Sequence, residues 1–521
     1  MKNGKLKLLQ DTVILGGSSI LLNALGIVFQ AYLSGRLGAD GVGLFQLICS
    51  VYVFATTFAT SGISLSVTRI ITEAQIKPQS KGSVHSILSR CMIVCLVMGL
   101  SACALQFVLA PFIAGSILGY QNTSNCFRIL AFGLPFMSAS SCMNGFFIAE
   151  RKASKSAASY IFEDLVKMAL IISIFNLYPP KSDAEGCVIL TLGVVISEMC
   201  SCTLNYIMYL ADKRRAAARQ KAEPGVVRNM LRIAAPVATS SYLKSGLTTL
   251  ENLLVPIGLQ KYGFTVSQSL SVFGTFKGLI IPVLLFPSSI IGAFTRVLMP
   301  EIADSYTVGD TKKIDRRGTR ILGLTLIFSV FIMGIFIVFA DELCMILYST
   351  SENAWLLRTL APLVPVMYID GVVDGILKGM DEQFAVMRYN VYEAIARVFI
   401  VYFILPHTGT TGFIITIYAG NTINTLLSLA HLIKISKIRP DARKTLIFPS
   451  LCICFSALAL SVVLKKMTQN SWLIWILGCL GSAVLYAVIL HAYGSLPSSP
   501  FGRKKKLAAA QAEAEQRLDS A

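Results

Sequence analysis

The chain is written in long apolar runs, each of about twenty residues and each closed by a short polar or basic stretch. A run of that length crosses a hydrocarbon core of about 30 Å as an α-helix, and a helix satisfies its own backbone hydrogen bonds in lipid. The pattern predicts fourteen spans, centred near Leu21, Tyr52, Leu96, Pro135, Met168, Val195, Ser245, Leu279, Phe331, Met367, Arg397, Ala419, Phe455 and Gly481. Long runs rather than ten-residue alternation speak against an outer-membrane barrel. The expected fold class is an all-α polytopic membrane protein. The run at Arg397 is the one a hydropathy window could miss.

The polar positions inside these runs repeat. RILAFGLP at 128–135 resembles RTLAPLVP at 358–365, an offset of 230 positions. The same offset pairs Gly145 with Gly375, Glu163 with Glu393 and Lys167 with Arg397. SVTRIITEA at 66–74 likewise resembles AFTRVLMPEIA at 293–303, pairing Arg69 with Arg296. This predicts two parallel six-helix lobes related by an axis along the membrane normal, facing one another as rocking halves of a transporter. The expected division is a first lobe at 1–211, a basic linker at 212–228, a second lobe at 229–440, two additional helices at 441–497 and a basic tail at 498–521.

Ionised groups at mid-bilayer cost on the order of 2.5–3.5 kcal/mol each on insertion scales, so they should face protein or water. Glu163 and Lys167 stand four apart with the acid first, the favourable order for a helical ion pair, and Glu393 and Arg397 repeat it. Such pairs either neutralise themselves and fix packing, or border the cavity and change partners as it opens. In the seventh span Lys244 and Glu251 lie on one face, two turns apart. In the eighth, Lys277 stands beside Pro282 and Pro287, which loosen a helix. Lys244 and Lys277 are the candidates for contacting an anionic substrate. The competing reading pairs them with Glu251 or Asp370 for packing, and a further one gives Glu251 or Asp374 a coupling cation. Arg69 and Arg296 suit lipid-headgroup anchoring and phosphate capture at an entrance equally well. Arg36, in the Gly-rich SGRLGADGVG, is a candidate for an outer gate or an interfacial anchor.

Composition agrees: 54% of the 521 residues are hydrophobic and only 14% charged. The net charge of +18 comes from Lys and Arg clusters in alternate gaps between spans, at 2–7, 151–155, 212–221, 312–320, 434–444 and 503–506. The positive-inside rule then puts both termini in the cytoplasm and requires an even number of spans. These clusters read as topology determinants beside an anionic leaflet, and no nucleic-acid partner is expected. The thirteen cysteines and four histidines show no metal or disulfide spacing. No cofactor is expected, and no nucleotide-binding motif occurs, so transport would draw on membrane potential or on a coupling ion such as Na+ or H+.

GRLGADGVGLFQL (35–47), SYIFEDLVKMALI (159–171), APVATSSYL with ENLLVPIGL (235–259), FKGLIIPVLLFPSSI with LMPEIAD (276–304) and the stretch 387–429 occur in order along the chain. Together they resemble the polysaccharide-transport branch of the multidrug/oligosaccharidyl-lipid/polysaccharide exporter superfamily, within it the stage V sporulation protein B family, relatives of the lipid II flippases. The resemblance implies a bacterial cytoplasmic-membrane protein with a cavity lined by the first, second, seventh and eighth helices. It also implies flipping of undecaprenyl-pyrophosphate-linked saccharides, with a groove for the lipid tail on the last two helices. Lipid II flippases carry arginines in the first helix, whereas LLNALGIVFQAYL has none, so an arginine-lined cavity and the identity of the saccharide do not carry over. The expected partners are the lipid-linked saccharide and membrane lipids, with a monomer as the working state. The rival expectations are a cation-coupled drug antiporter of the same superfamily and, further off, a membrane enzyme acting on polyprenyl-linked sugars.

Overall fold

The computed structural model describes residues 2–76, 84–117, 119–213, 225–436, 438, 441 and 443–493. Most of the linker expected at 212–228, and all of the tail expected at 498–521, lie outside the described residues. Among the described residues, ten helical stretches are long and apolar enough to cross a membrane. The first of these, Gly16–Ile76, is broken at Gly38, whose φ of 72° and ψ of 177° leave the helical region. Three further helices, Ala153–Leu177, Val226–Tyr262 and Gln383–Phe403, are as long but carry internal charges and fall short of that threshold. Only the last was expected to do so. Counting them, and dividing the first stretch at Gly38, the described residues are consistent with fourteen crossings.

In chain order the helices are 2–37, 39–76, Val84–Phe112, 124–149, Ala153–Leu177 and Asp183–Lys213, then Val226–Tyr262, 266–307, Thr311–Val338, 354–379, Gln383–Phe403 and Thr410–Ile435, then 443–467 and Ser471–Tyr493. They are called the first to the fourteenth below. Local chemistry ends them. Gly263, at φ 117°, closes the seventh helix in the left-handed region that a side chain disfavours. Two residues on, Thr265 accepts from the Gln268 amide at 3.2 Å while Gln268 accepts from the Thr265 amide at 2.9 Å, which starts the eighth helix with a reciprocal cap. The eighth helix then relaxes into a π-helical turn, Thr275–Ile280, just before Pro282.

The first six helices pack mainly on one another, as do the seventh to twelfth, and the two bundles meet chiefly through the first, second, seventh and eighth. The last two helices pack on the ninth, where the Tyr486 hydroxyl donates to the Ile327 carbonyl at 2.8 Å. The interior is apolar and aromatic, with Phe276 and Phe413 4.6 Å apart between ring centres. The outer faces are apolar too: Val108 and Phe455 are exposed, as lipid-facing residues must be.

Candidate functional site: a polar cleft between the bundles

A cleft of about 550 Å³ opens between the second and seventh helices. Its walls include Gln46, Ser50, Ser245, Thr249 and Asn252, with Lys244 exposed in it. A second cleft of about 540 Å³, lined by Asn23, Gln30, Pro282 and Phe286, lies between the first and eighth helices. Beside the first cleft the bundles are joined by neutral hydrogen bonds, from Thr249 to the Ser50 carbonyl and from Asn252 to the Ser50 hydroxyl, both at 3.0 Å.

At the end away from the basic loops the bundles close backbone to backbone. A Cβ placed on Gly274 would lie 2.6 Å from the Gly43 nitrogen, so only glycine lets these helices meet. Ser267 donates across this seam to Asp40 at 3.1 Å. Arg36, a candidate for an outer gate or an interfacial anchor, makes its contacts elsewhere. Its guanidinium donates to Asn176 at 3.0 Å and covers the Tyr32 ring, both contacts within the first bundle.

The seventh and eleventh helices run side by side in matched register. Lys244 donates to Asn390 on the eleventh, and seven residues further along each helix Glu251 meets Arg397. Lys244 therefore takes a neutral amide as its partner and not Glu251 or Asp370. Glu251 is 1% exposed, and its oxygens lie 2.5 and 2.6 Å from Arg397 Nη2. Arg397 also reaches Glu393 at 3.0 Å, the intrahelical pair expected from spacing. Lys277, on the π-helical turn of the eighth helix, stands 3.6 Å from Glu251. Two acids and two bases thus form one buried, formally neutral cluster. Lys277, expected as a substrate contact, is engaged by Glu251, and Glu251 in turn is held by two cations rather than open to a coupling ion. The cluster fits because the twelfth helix carries Gly420 beneath Arg397: a Cβ there would come 2.7 Å from the Arg397 Cγ.

The equivalent site in the first bundle departs from expectation. Lys167 pairs with Asp164, three residues away, and not with Glu163. Glu163 turns instead toward the Ser201 hydroxyl on the sixth helix. Beside it lies a carboxyl that the pattern of repeated charges passed over. Glu198 is 5% exposed, and both its oxygens accept from the Tyr52 hydroxyl, at 2.7 and 2.8 Å. Gly133 makes room for this pair. The position 230 residues after Glu198 holds Ser428, so a search for charges shared by both halves misses it. The available signal was a lone acid within CVILTLGVVISEMCSCTL.

Arg69, Asp370 and Asp374 do not line the cleft, although Asp374 bonds to Asn390, the amide that holds Lys244. Arg69 is exposed at the basic end of the second helix and pairs with Glu73 at 2.9 Å. Arg296 lies in the helix Ser288–Thr307, but its side chain is outside the described residues. Asp370 accepts from the Asn424 amide through both oxygens at 3.0 Å, and Asp374 lies 3.7 Å from Lys378.

The chain has measurable likeness to known proteins. It is 22% identical over 457 residues to Stage V sporulation protein B of Bacillus subtilis (strain 168), covering 86% of this chain and 88% of that protein. It is 23% identical over 344 residues to Lipid II flippase MurJ of the same organism, 60% of each chain. Its fold matches the solved inward closed conformation of the lipid II flippase MurJ with a TM-score of 0.70 at 12% identity, over 92% of this chain and 98% of that one. An inward-facing multidrug resistance MATE family transporter of the MOP superfamily matches with a TM-score of 0.67 at 15% identity, over 83% and 98%. The family model for polysaccharide biosynthesis proteins matches residues 8–305, more than half of the sequence, and the chain belongs to that family.

Proposed function

We propose that this protein is a flippase that carries an undecaprenyl-pyrophosphate-linked saccharide from the inner to the outer leaflet of the bacterial cytoplasmic membrane by alternating access. The observation that carries this reading is the cleft itself, with hydroxyls and amides around Lys244 between the two bundles. Bringing a sugar head group through hydrocarbon would leave every hydroxyl unsatisfied and the phosphate charge unsolvated. Neutral hydrogen-bonding groups replace water around the sugar, and Lys244 meets the phosphate. The polyprenyl tail stays in lipid, passing beside the first and eighth helices where the second cleft opens. The similarity to a protein named as a lipid II flippase supports the substrate class.

Rocking of the two bundles that opens and closes the Gly43–Gly274 contact exchanges access between the two sides of the membrane. With both termini in the cytoplasm and an inside-negative potential, outward movement of an anion is favoured by about 2.3 kcal/mol per charge per 100 mV. The test is flipping of a labelled lipid-linked saccharide in liposomes. A charge-assisted hydrogen bond contributes about 1.5–3 kcal/mol, so Lys244→Gln should slow flipping by about tenfold or more with folding retained. An unchanged rate rejects the role of Lys244. Efflux of a cationic dye without saccharide flipping would replace the reading with a drug antiporter.

A further inference from the structure

At the basic end of the molecule, about one helical turn beyond the cleft, a third pocket of about 650 Å³ is formed by helix termini from both bundles. The second helix supplies Arg69, the seventh Arg232 and Asn229, and the eleventh Gln383. Arg69 shares its charge with Glu73, whereas Arg232 makes no ion pair among the described residues. The three charged groups leave a formal surplus of one positive charge. The rest of the lining is apolar and open, with Phe384 71% and Leu65 53% exposed. Cationic forks beside exposed apolar side chains, at the level where helices leave the hydrocarbon, match a lipid whose phosphate sits in the pocket and whose chains lie against Phe384 and Leu65.

The pocket also stands just beyond a weak level in two helices. The second helix breaks at Gly62, at φ 75°, where a Cβ would lie 2.8 Å from the Ala234 carbonyl of the seventh. The seventh carries Pro236 within its length, which removes a backbone hydrogen bond at nearly the same height. The terminal segments bearing Arg69 and Arg232 can therefore shift relative to the rest of their helices. Bringing them together sets two guanidinium groups against each other, and an anion between them cancels that repulsion. We infer that this pocket binds the phosphate of an anionic membrane-lipid headgroup and that the bound headgroup bridges the two bundles at their basic end. The site goes beyond the flipping reading and does not depend on the cargo.

The test is thermal unfolding of the full chain in neutral detergent, titrated with phosphatidylglycerol, with phosphatidylcholine of the same chains and with inorganic phosphate. Phosphatidylglycerol should raise Tm saturably, and the Arg69→Gln/Arg232→Gln double variant should lose about half of that rise or more. An equal rise from phosphatidylcholine, or an undiminished rise in the double variant, overturns the site. A full rise from inorganic phosphate alone assigns the pocket to a soluble anion and overturns the lipid. Should the double variant fail to fold, Glu73→Gln removes the competing acid and keeps both arginines. It should lower the half-saturating phosphatidylglycerol concentration a few-fold, and an unchanged or higher value overturns the proposal.

Discussion

Glu251 is the acid on which two cations converge. With Arg397 at 2.5 Å and Lys277 at 3.6 Å, both largely buried, its removal leaves two positive charges facing each other in a low-dielectric interior. Breaking a buried ion pair from one side costs about 3–5 kcal/mol, so Glu251→Gln should lower stability by that order in thermal or denaturant unfolding in detergent. Glu393→Gln should cost less, because Arg397 keeps its contact with Glu251 and the cluster retains one acid. The same logic applies to Gly420. A valine there has no space beside Arg397, so Gly420→Val should displace the guanidinium and approach the Glu251→Gln defect; a wild-type unfolding curve would show that Arg397 can move aside. Lys244 differs in kind, since its partner is the neutral Asn390. It lies within electrostatic reach of Asp370 and Asp374 but makes no direct ion pair among the described residues, so its substitution should change transport more than stability.

At the scale of the helix, the seam between the second and eighth helices turns on two buried glycines. Gly274→Val inserts a side chain where a Cβ already falls 2.6 Å from the opposing Gly43 nitrogen. The helices must then separate at that end, and the cleft behind them should gain access from that side. Cys49, in the cleft wall, reports it: its labelling by a membrane-impermeant maleimide should rise in Gly274→Val vesicles relative to wild type. Equal labelling would place the closure elsewhere. Helix identity itself was largely readable from the chain. Runs of about twenty apolar residues pay the transfer cost locally, without reference to any neighbour. The helices at Ala153–Leu177, Val226–Tyr262 and Gln383–Phe403 were read from the same apolar pattern, and their internal charges lower their hydropathy, which was expected only of the last.

At the scale of the whole molecule, the two bundles touch through small residues and hydrogen bonds that carry no ion pair, the one to a charged group being that to Asp40 at the seam, while the buried ion-pair cluster lies within the second bundle. An interface of that kind can open without exposing uncompensated charge, whereas each bundle resists internal rearrangement. Locking the seam should therefore stop transport while leaving the bundles intact. A short cleavable cross-link between Asp40→Cys and Ser267→Cys, whose native side chains meet at 3.1 Å, should abolish flipping, and cleavage of the link should restore it. Transport that persists with the link in place would exclude rocking at this seam.

The sequence by itself determined the spans, the twofold repeat and the presence of charged groups on particular helix faces. Each of these follows from local spacing and from the cost of placing a residue in hydrocarbon. Only the tertiary structure decided which charge meets which. Spacing paired Lys167 with Glu163, and packing gave it Asp164 instead. The sequence offered Lys277 either to a substrate or to Glu251, and the approach of the eighth helix to the seventh gave it Glu251. Glu198 gained its partner from Tyr52, 146 residues earlier in the chain. A salt bridge or hydrogen bond forms over about 3 Å, and which side chains come that close depends on how separate helices are packed, a distance no periodicity along one helix contains.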